Sequence, residues 1–408
     1  MQQEKISTAF WILFLLCFLS SLLGGTVSTL MAVYLPVVVK ELNGSETDLS
    51  SLAAYINAIF IFGWAIGGFS WGLISDRIGR KTALLAAITC YGLATIATGL
   101  QQNWEGLMLF RFLSGFGVGG VLVVSFSWLS EIWPARSRSI AIGILSIGIP
   151  VGIFSAGLIN FFVSSWRNGF LIGILPILLA LAGIVLVKVP DSRVKEYETG
   201  HQPARTGNLF SVDNRSNLIM GSLLFSSMLI GLWAIFSWLP TWIQGLLPGI
   251  DAQKERGMGM MLMGAGGLTG GFISGWIVNA LGIRKTMAIC FGMCTLLSFL
   301  LFRLNTSFHP LVLVEIGVLS FFFGISQGAL SVYIPQLFPS AVRASSAGFC
   351  FNIGRLFTAT AVLFVGVLVT GLGGYGNAIF IFSLTFPLGW LVLAAGKKNN
   401  PTIQPINS

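Results

Sequence analysis

The chain has 408 residues, 55% of them hydrophobic and only 9% charged, with a mean hydropathy of +0.86 and a formal net charge of +9. A soluble domain carries about a quarter charged residues. A water-facing surface cannot be built from so few, so these values exclude a soluble globular protein and leave lipid as the solvent.

About 20 apolar residues cross a bilayer as a helix. Runs of that kind lie at 8–39, 52–75, 82–100, 105–130, 139–163, 168–188, 217–246, 257–281, 285–302, 310–335, 343–370 and 375–396. The first follows Lys5 but is much longer than the core of a signal peptide, so it reads as a span. The long polar stretch, 189–216, separates the sixth and seventh runs. It is expected to be a cytoplasmic linker between an N-terminal six-helix bundle, 1–188, and a C-terminal one, 217–408. Abundant glycine suits close helix packing, and tryptophan collects at bilayer interfaces. Cys17, Cys90, Cys290, Cys294 and Cys350 sit in apolar runs without metal or disulfide spacing and read as packing residues.

Charge gives an independent test of this topology. With both termini on one side, the other side keeps only Lys40, Arg167, Lys254, Arg256 and Arg303, while Arg111 and Arg355 fall inside spans. Every other one of the 23 Lys and Arg residues lies on the side of the termini, which is therefore expected to be cytoplasmic. The positive charge thus reports membrane orientation, and no aromatic-interleaved basic stripe points to nucleic acid.

The two halves repeat. Gly72-Leu-Ile-Ser-Asp76-Arg77-Ile-Gly79-Arg80-Lys81 follows span two, and Gly275-Trp-Ile-Val-Asn279-Ala-Leu-Gly282-Ile-Arg284 follows span eight. Glu131-Ile-Trp-Pro134-Ala-Arg-Ser-Arg138 follows span four, and Gln336-Leu-Phe-Pro339-Ser-Ala-Val-Arg343 follows span ten. Parallel six-span repeats place a binding site at their interface near the midplane.

The segment GLISDRIGRK at 72–81 matches the loop signature between spans two and three of the major facilitator superfamily, and the chain resembles that superfamily over nearly its whole length. The resemblance implies an all-α, twelve-span fold in two pseudo-symmetric six-helix bundles that works by alternating access. It also implies that Gly72, Asp76, Arg77, Gly79, Arg80, Glu131, Arg138 and Arg343 form a cytoplasmic latch, weaker in the second half, where Asn279 and Gln336 replace acids. The stretch at 333–357, with Trp238-Leu-Pro240-Thr241 and Trp166-Arg167, resembles the aromatic-acid/proton symporter and organic-anion carrier branch.

Ionisable groups within spans are costly and usually functional. Arg355 is mid-span beside Asn352, and its planar fork suits a carboxylate; the matching arginine of organic-anion carriers faces the cavity. Gln327, Tyr333, Phe351, Trp64, Trp128, Trp238, Asn57 and Tyr55 are the other candidate substrate contacts. Arg111, which opens a glycine-rich run and resembles the family's span-four arginine, and Glu315, an acid within a span, are candidates for proton coupling. Arg111 is also near enough to the span's end to snorkel outward.

The expected function is secondary active transport of a small organic anion, an aromatic or other monocarboxylate, with protons as the candidate coupling ion. The expected setting is the inner membrane, both termini in the cytoplasm, as a monomer with no metal, cofactor or nucleic-acid partner. Rival readings are an efflux antiporter, sugar-porter-like uptake, and a receptor that keeps a transporter fold without transporting. The glutamine pair and asparagine of the sugar porters are absent from span seven, where the chain has Phe225-Ser-Ser-Met-Leu-Ile-Gly. No nucleophile–base pair or phosphate-cradling loop suggests an enzyme.

Overall fold

Inside a bilayer every backbone amide must be paired within the protein, and a helix does this without help from neighbours. The computed structural model describes residues 8–42, 49–134, 137–188, 211–339 and 342–396, and these fold as helices with no strand among them. Twelve helices are long and apolar enough to cross a membrane. They are α1 (Thr8–Leu42), α2 (Leu49–Ile78), α3 (Arg80–Gly99), α4 (Trp104–Ile132), α5 (Arg138–Phe162), α6 (Trp166–Leu186), α7 (Val212–Gly245), α8 (Gln253–Leu281), α9 (Ile283–Leu304), α10 (Pro310–Gln336), α11 (Arg343–Leu368) and α12 (Tyr375–Ala395).

Each expected run becomes one of these spans, with bounds shifted by a few residues. The largest shift is at α7, which starts at Val212, inside the stretch expected to be linker. Apolar content alone misses that turn because polar contacts hold it: Asn214 is buried, and Asn217 Nδ2 donates to the Leu337 carbonyl at 2.8 Å. Residues 189–210 of the expected linker lie outside the described residues.

Within each half, glycine sets how closely the helices approach. A Cβ on Gly63 or Gly67 of α2 would strike the carbonyls of Phe112 or Phe116 on α4. Conversely, one on Gly115 or Gly119 of α4 would strike those of Phe60 or Trp64 on α2. The second half repeats the arrangement: Gly266 and Gly270 of α8 abut the carbonyls of Gly317 and Phe321 on α10. In lipid, where apolar burial gives little drive for helices to associate, such close packing supplies much of the association energy. Gly119→Val is therefore expected to lower stability by about 1–3 kcal/mol through overpacking. Melting of the detergent-purified protein checks this against Gly143→Val, since a Cβ at Gly143 has nothing within 4 Å.

The loop after the second helix of each half is also repeated in three dimensions. Gly79 and Gly282 take φ of 89° and 80°, a left-handed region that favours glycine,. Two residues on, Lys81 donates to the Val187 carbonyl at 2.7 Å and Arg284 to the Gly396 carbonyl at 2.7 Å. Each cation thus satisfies open carbonyls at the end of the sixth helix of its own half. The pseudo-symmetry read from two loop motifs is a property of the fold.

Candidate functional site

The halves meet along α1, α2 and α5 on one side and α7, α8 and α11 on the other. Among the described residues, hydrogen bonds join them toward the end of the molecule opposite the Gly79 and Gly282 loops. Asn57 Nδ2 donates to the Ser237 carbonyl at 3.2 Å, Gln253 Nε2 to the Asn160 carbonyl at 2.6 Å, and Arg256 Nε to the Val33 carbonyl at 3.1 Å. Arg256 is buried, pairs with Asp251 at 2.9 Å and bonds Gln244. Sequence reading counts Arg256 only as an outer-side charge. Its neighbours Gln244 and Asp251 are the signal that it is held inside the protein.

Nearer the middle, Trp64 of α2 meets Trp233 of α7 edge to face, with ring centroids 5.3 Å apart. Arg355, close to the midpoint of α11, also lies beside Trp64, its guanidinium carbon 5.9 Å from the ring centroid. Arg355 Nη1 donates to Asn352 Oδ1 at 3.0 Å, and Asn352 Oδ1 lies against Gly68 of α2. Side chains from both halves therefore converge here, and no ion pair involves Arg355 among the described residues. Arg355 is half-buried.

Arg111 lies beside Phe60, one helical turn from Trp64 toward the closed end. It is 1% exposed, so it does not snorkel. Its Nη1 donates to the Val27 carbonyl at 3.2 Å, its guanidinium carbon stacks 4.2 Å from the centroid of Phe60, and its Nε is buried without a hydrogen-bond partner. It borders a cavity of about 10 Å³ with Asn57, Phe60, Trp233 and Ser237, room for about one water. The glycine packing described above holds the Phe60 and Trp64 carbonyls against α4, and so fixes this aromatic ridge relative to Arg111.

The remaining candidates are distributed unevenly. Gln327 Nε2 on α10 is buried without a partner. Phe351 packs on Phe225 at 4.7 Å, and Tyr333 is buried in a core that spans both halves. Trp128 is fully buried in the first half's core. Trp238 donates to the Val362 carbonyl at 3.2 Å and stacks on Tyr375, so its indole is already engaged in packing. Tyr55 is 45% exposed. Glu315 is one and a half turns from the start of α10 and accepts from Asn305 at 2.7 Å, which also meets His309. That cluster belongs to the α9–α10 connection and is separate from the Arg355 environment.

Of the expected latch residues, Arg80 gathers Asp76 and Glu131, each at 2.9 Å, and also bonds Ser75. Arg77 is exposed at the helix end. Arg138 does not join the cluster: its Nε donates to the Trp133 carbonyl at 3.1 Å, closing its own loop. Gly72 lies against Val123. The side chain of Arg343 lies outside the described residues.

The chain belongs to the Major Facilitator Superfamily, whose sequence model matches residues 13–361. It is 27% identical to the cis,cis-muconate transport protein of Acinetobacter baylyi, over 94% of each chain. It is 27% identical to the niacin transporter NiaP of the same organism, over 81% of this chain and 82% of that one. The inward-open structure of the xylose transporter XylE from E. coli superposes with a TM-score of 0.78 at 17% identity, over 96% of this chain and 98% of that one. That similarity shows the fold alone. Membership bears out the expectation of a multi-pass membrane transporter rather than an enzyme.

Proposed function

We propose that this transporter carries a small organic anion through the centre of the molecule, with Arg355 holding a carboxylate. The observation that carries this reading is a half-buried, mid-span guanidinium at the meeting of the halves. Its described polar partner is the neutral amide of Asn352, with Trp64 alongside. A buried cation without a fixed counter-charge is expensive, and a carboxylate offers the bidentate partner that its fork is built for. The relatives are named for transport of muconate and niacin, both carboxylic acids, which supports the same class.

Alternation is proposed to come from rocking of the first half, 1–188, against the second half, which begins with α7 at Val212, with the stretch between them as the tether. The described interface is bonded at one end by Asn57, Gln253 and Arg256, and that end must part for the opposite access. By the charge asymmetry, it faces away from the cytoplasm and both termini lie inside. The inner membrane and a monomeric state complete the reading. The proton is the proposed coupling ion, with Glu315 as its carrier. Glu315→Gln is then expected to preserve substrate exchange while abolishing accumulation driven by a pH gradient in proteoliposomes; undiminished accumulation removes Glu315 from that role.

A thermal-shift screen of carboxylates, organic cations and sugars on the purified protein tests the substrate class. A ligand of the folded state raises its melting temperature. Carboxylates are expected to do so. Cations alone doing so would favour efflux.

A further inference from the structure

Two guanidinium groups, one fully and one half buried, flank the aromatic ridge between the halves, and among the described residues no carboxylate pairs with either. The acids whose side chains are described, Glu41, Asp76, Glu105, Glu131, Asp251, Glu255 and Glu315, all lie in loops or within about two turns of a helix end. The described ion pairs involve neither Arg111 nor Arg355. A bound monocarboxylate would neutralise one of the two charges and leave the other uncompensated in a medium of low dielectric.

The two cations are joined by an apolar ridge. Phe60 and Trp64 are one turn apart on α2, with ring centroids separated by 6.1 Å. Arg111 stacks on the first ring at 4.2 Å, and Arg355 flanks the second at 5.9 Å. This layout has a positive group at each end and aromatic faces between. The buried, unpartnered Nε of Arg111 adds a donor directed at neither backbone nor side chain. Trp233 packs against Trp64 and borders the small cavity at Arg111. A cavity of about 10 Å³ admits no organic acid, so the halves must part around it before a ligand can reach Arg111.

We infer that the transported anion is a dicarboxylate, one carboxylate held by Arg355 and the other by Arg111, with its carbon body lying along Phe60 and Trp64. The inference rests on the organic-anion reading above and names the substrate class within it. It also gives Arg111 the role of setting specificity by charge number.

Matched acids that differ by one carboxylate test this: benzoate against terephthalate, and hexanoate against adipate. Affinity is read by tryptophan fluorescence and by inhibition of uptake in proteoliposomes. For the unmodified protein, the diacid of each pair is expected to bind at least tenfold more tightly. Arg111→Gln is expected to erase that preference, weakening terephthalate at least tenfold while leaving benzoate within threefold. Arg355→Gln should weaken both. Arg111→Lys keeps the charge and is expected to retain a preference of about threefold or more. It serves as the test if Arg111→Gln proves unstable on melting.

Equal affinity for the mono- and diacids in the unmodified protein would overturn the dicarboxylate assignment and leave organic-anion transport standing. The assignment is equally overturned if Arg111→Gln, or Arg111→Lys in its place, weakens both acids alike. If no carboxylate binds while a cation or sugar does, the underlying reading fails as well.

Discussion

Arg355→Ala is expected to reduce kcat/KM for organic-anion uptake by about a hundredfold or more. Removing one partner of a buried, hydrogen-bonded charge pair costs about 2–5 kcal/mol, and each 1.4 kcal/mol is a factor of ten. The upper part of that range applies because the guanidinium is mid-span, where little water is available to replace it. The substitution also leaves Asn352 Oδ1 without its donor and takes the cation from beside Trp64. Arg355→Lys separates charge from shape. An ammonium restores attraction but cannot give two parallel hydrogen bonds, so an intermediate loss of about tenfold is expected. Saturable uptake of every accepted acid persisting unchanged in Arg355→Ala would end the assignment. Normal melting and normal insertion of the variant would show that the loss reflects binding and not folding.

The fold was largely legible because lipid imposes a simple code. Each run of about 20 apolar residues had to become a helix, and basic residues clustered on one side of the chain's path. The mid-span position of Arg355 was legible for a related reason, since one charge in an apolar run is conspicuous. What the sequence hid was depth and direction. Arg111 is close enough in sequence to its helix end to snorkel, yet Gly115 and Gly119 draw α4 against α2 and turn it inward onto Phe60. Trp128 and Trp238 look like ligand-facing aromatics in sequence, but in three dimensions one fills the first half's core and the other is bonded to Val362. Arg256 looks like an exterior charge, because its acceptor on Val33 is more than two hundred positions away and belongs to the other half. An indole or guanidinium on a helix can point to lipid, core or cavity, and only the packing of neighbouring helices decides which.

Arg80→Ala is expected to have the second largest effect, on stability and on turnover together. The Arg80 side chain is 5% exposed and holds two carboxylates at once, Asp76 at 42% and Glu131 at 19% exposure. Deleting it leaves two negative groups near one another at the end of α2 and α4. Breaking a buried pair by removing one partner costs about 3–5 kcal/mol. The lower end applies here, because water reaches Asp76 and screens it. Glu131→Gln should cost less, since Arg80 keeps Asp76. The double variant Arg80→Ala, Glu131→Gln should melt above Arg80→Ala alone, because it removes one of the two carboxylates that Arg80 gathers, and the resulting non-additivity measures the coupling,. Arg138→Ala is the comparison, as its described bond is to the Trp133 carbonyl and its loss should be milder. A cluster that merely packs the first half would lower melting without altering the rate of the intact fraction. A cluster that stabilises one access state of the cycle would also change the balance of inward and outward accessibility, read by cysteine labelling at the two ends. We expect both changes. Additive melting effects, with labelling unchanged, would remove Arg80 from the gate.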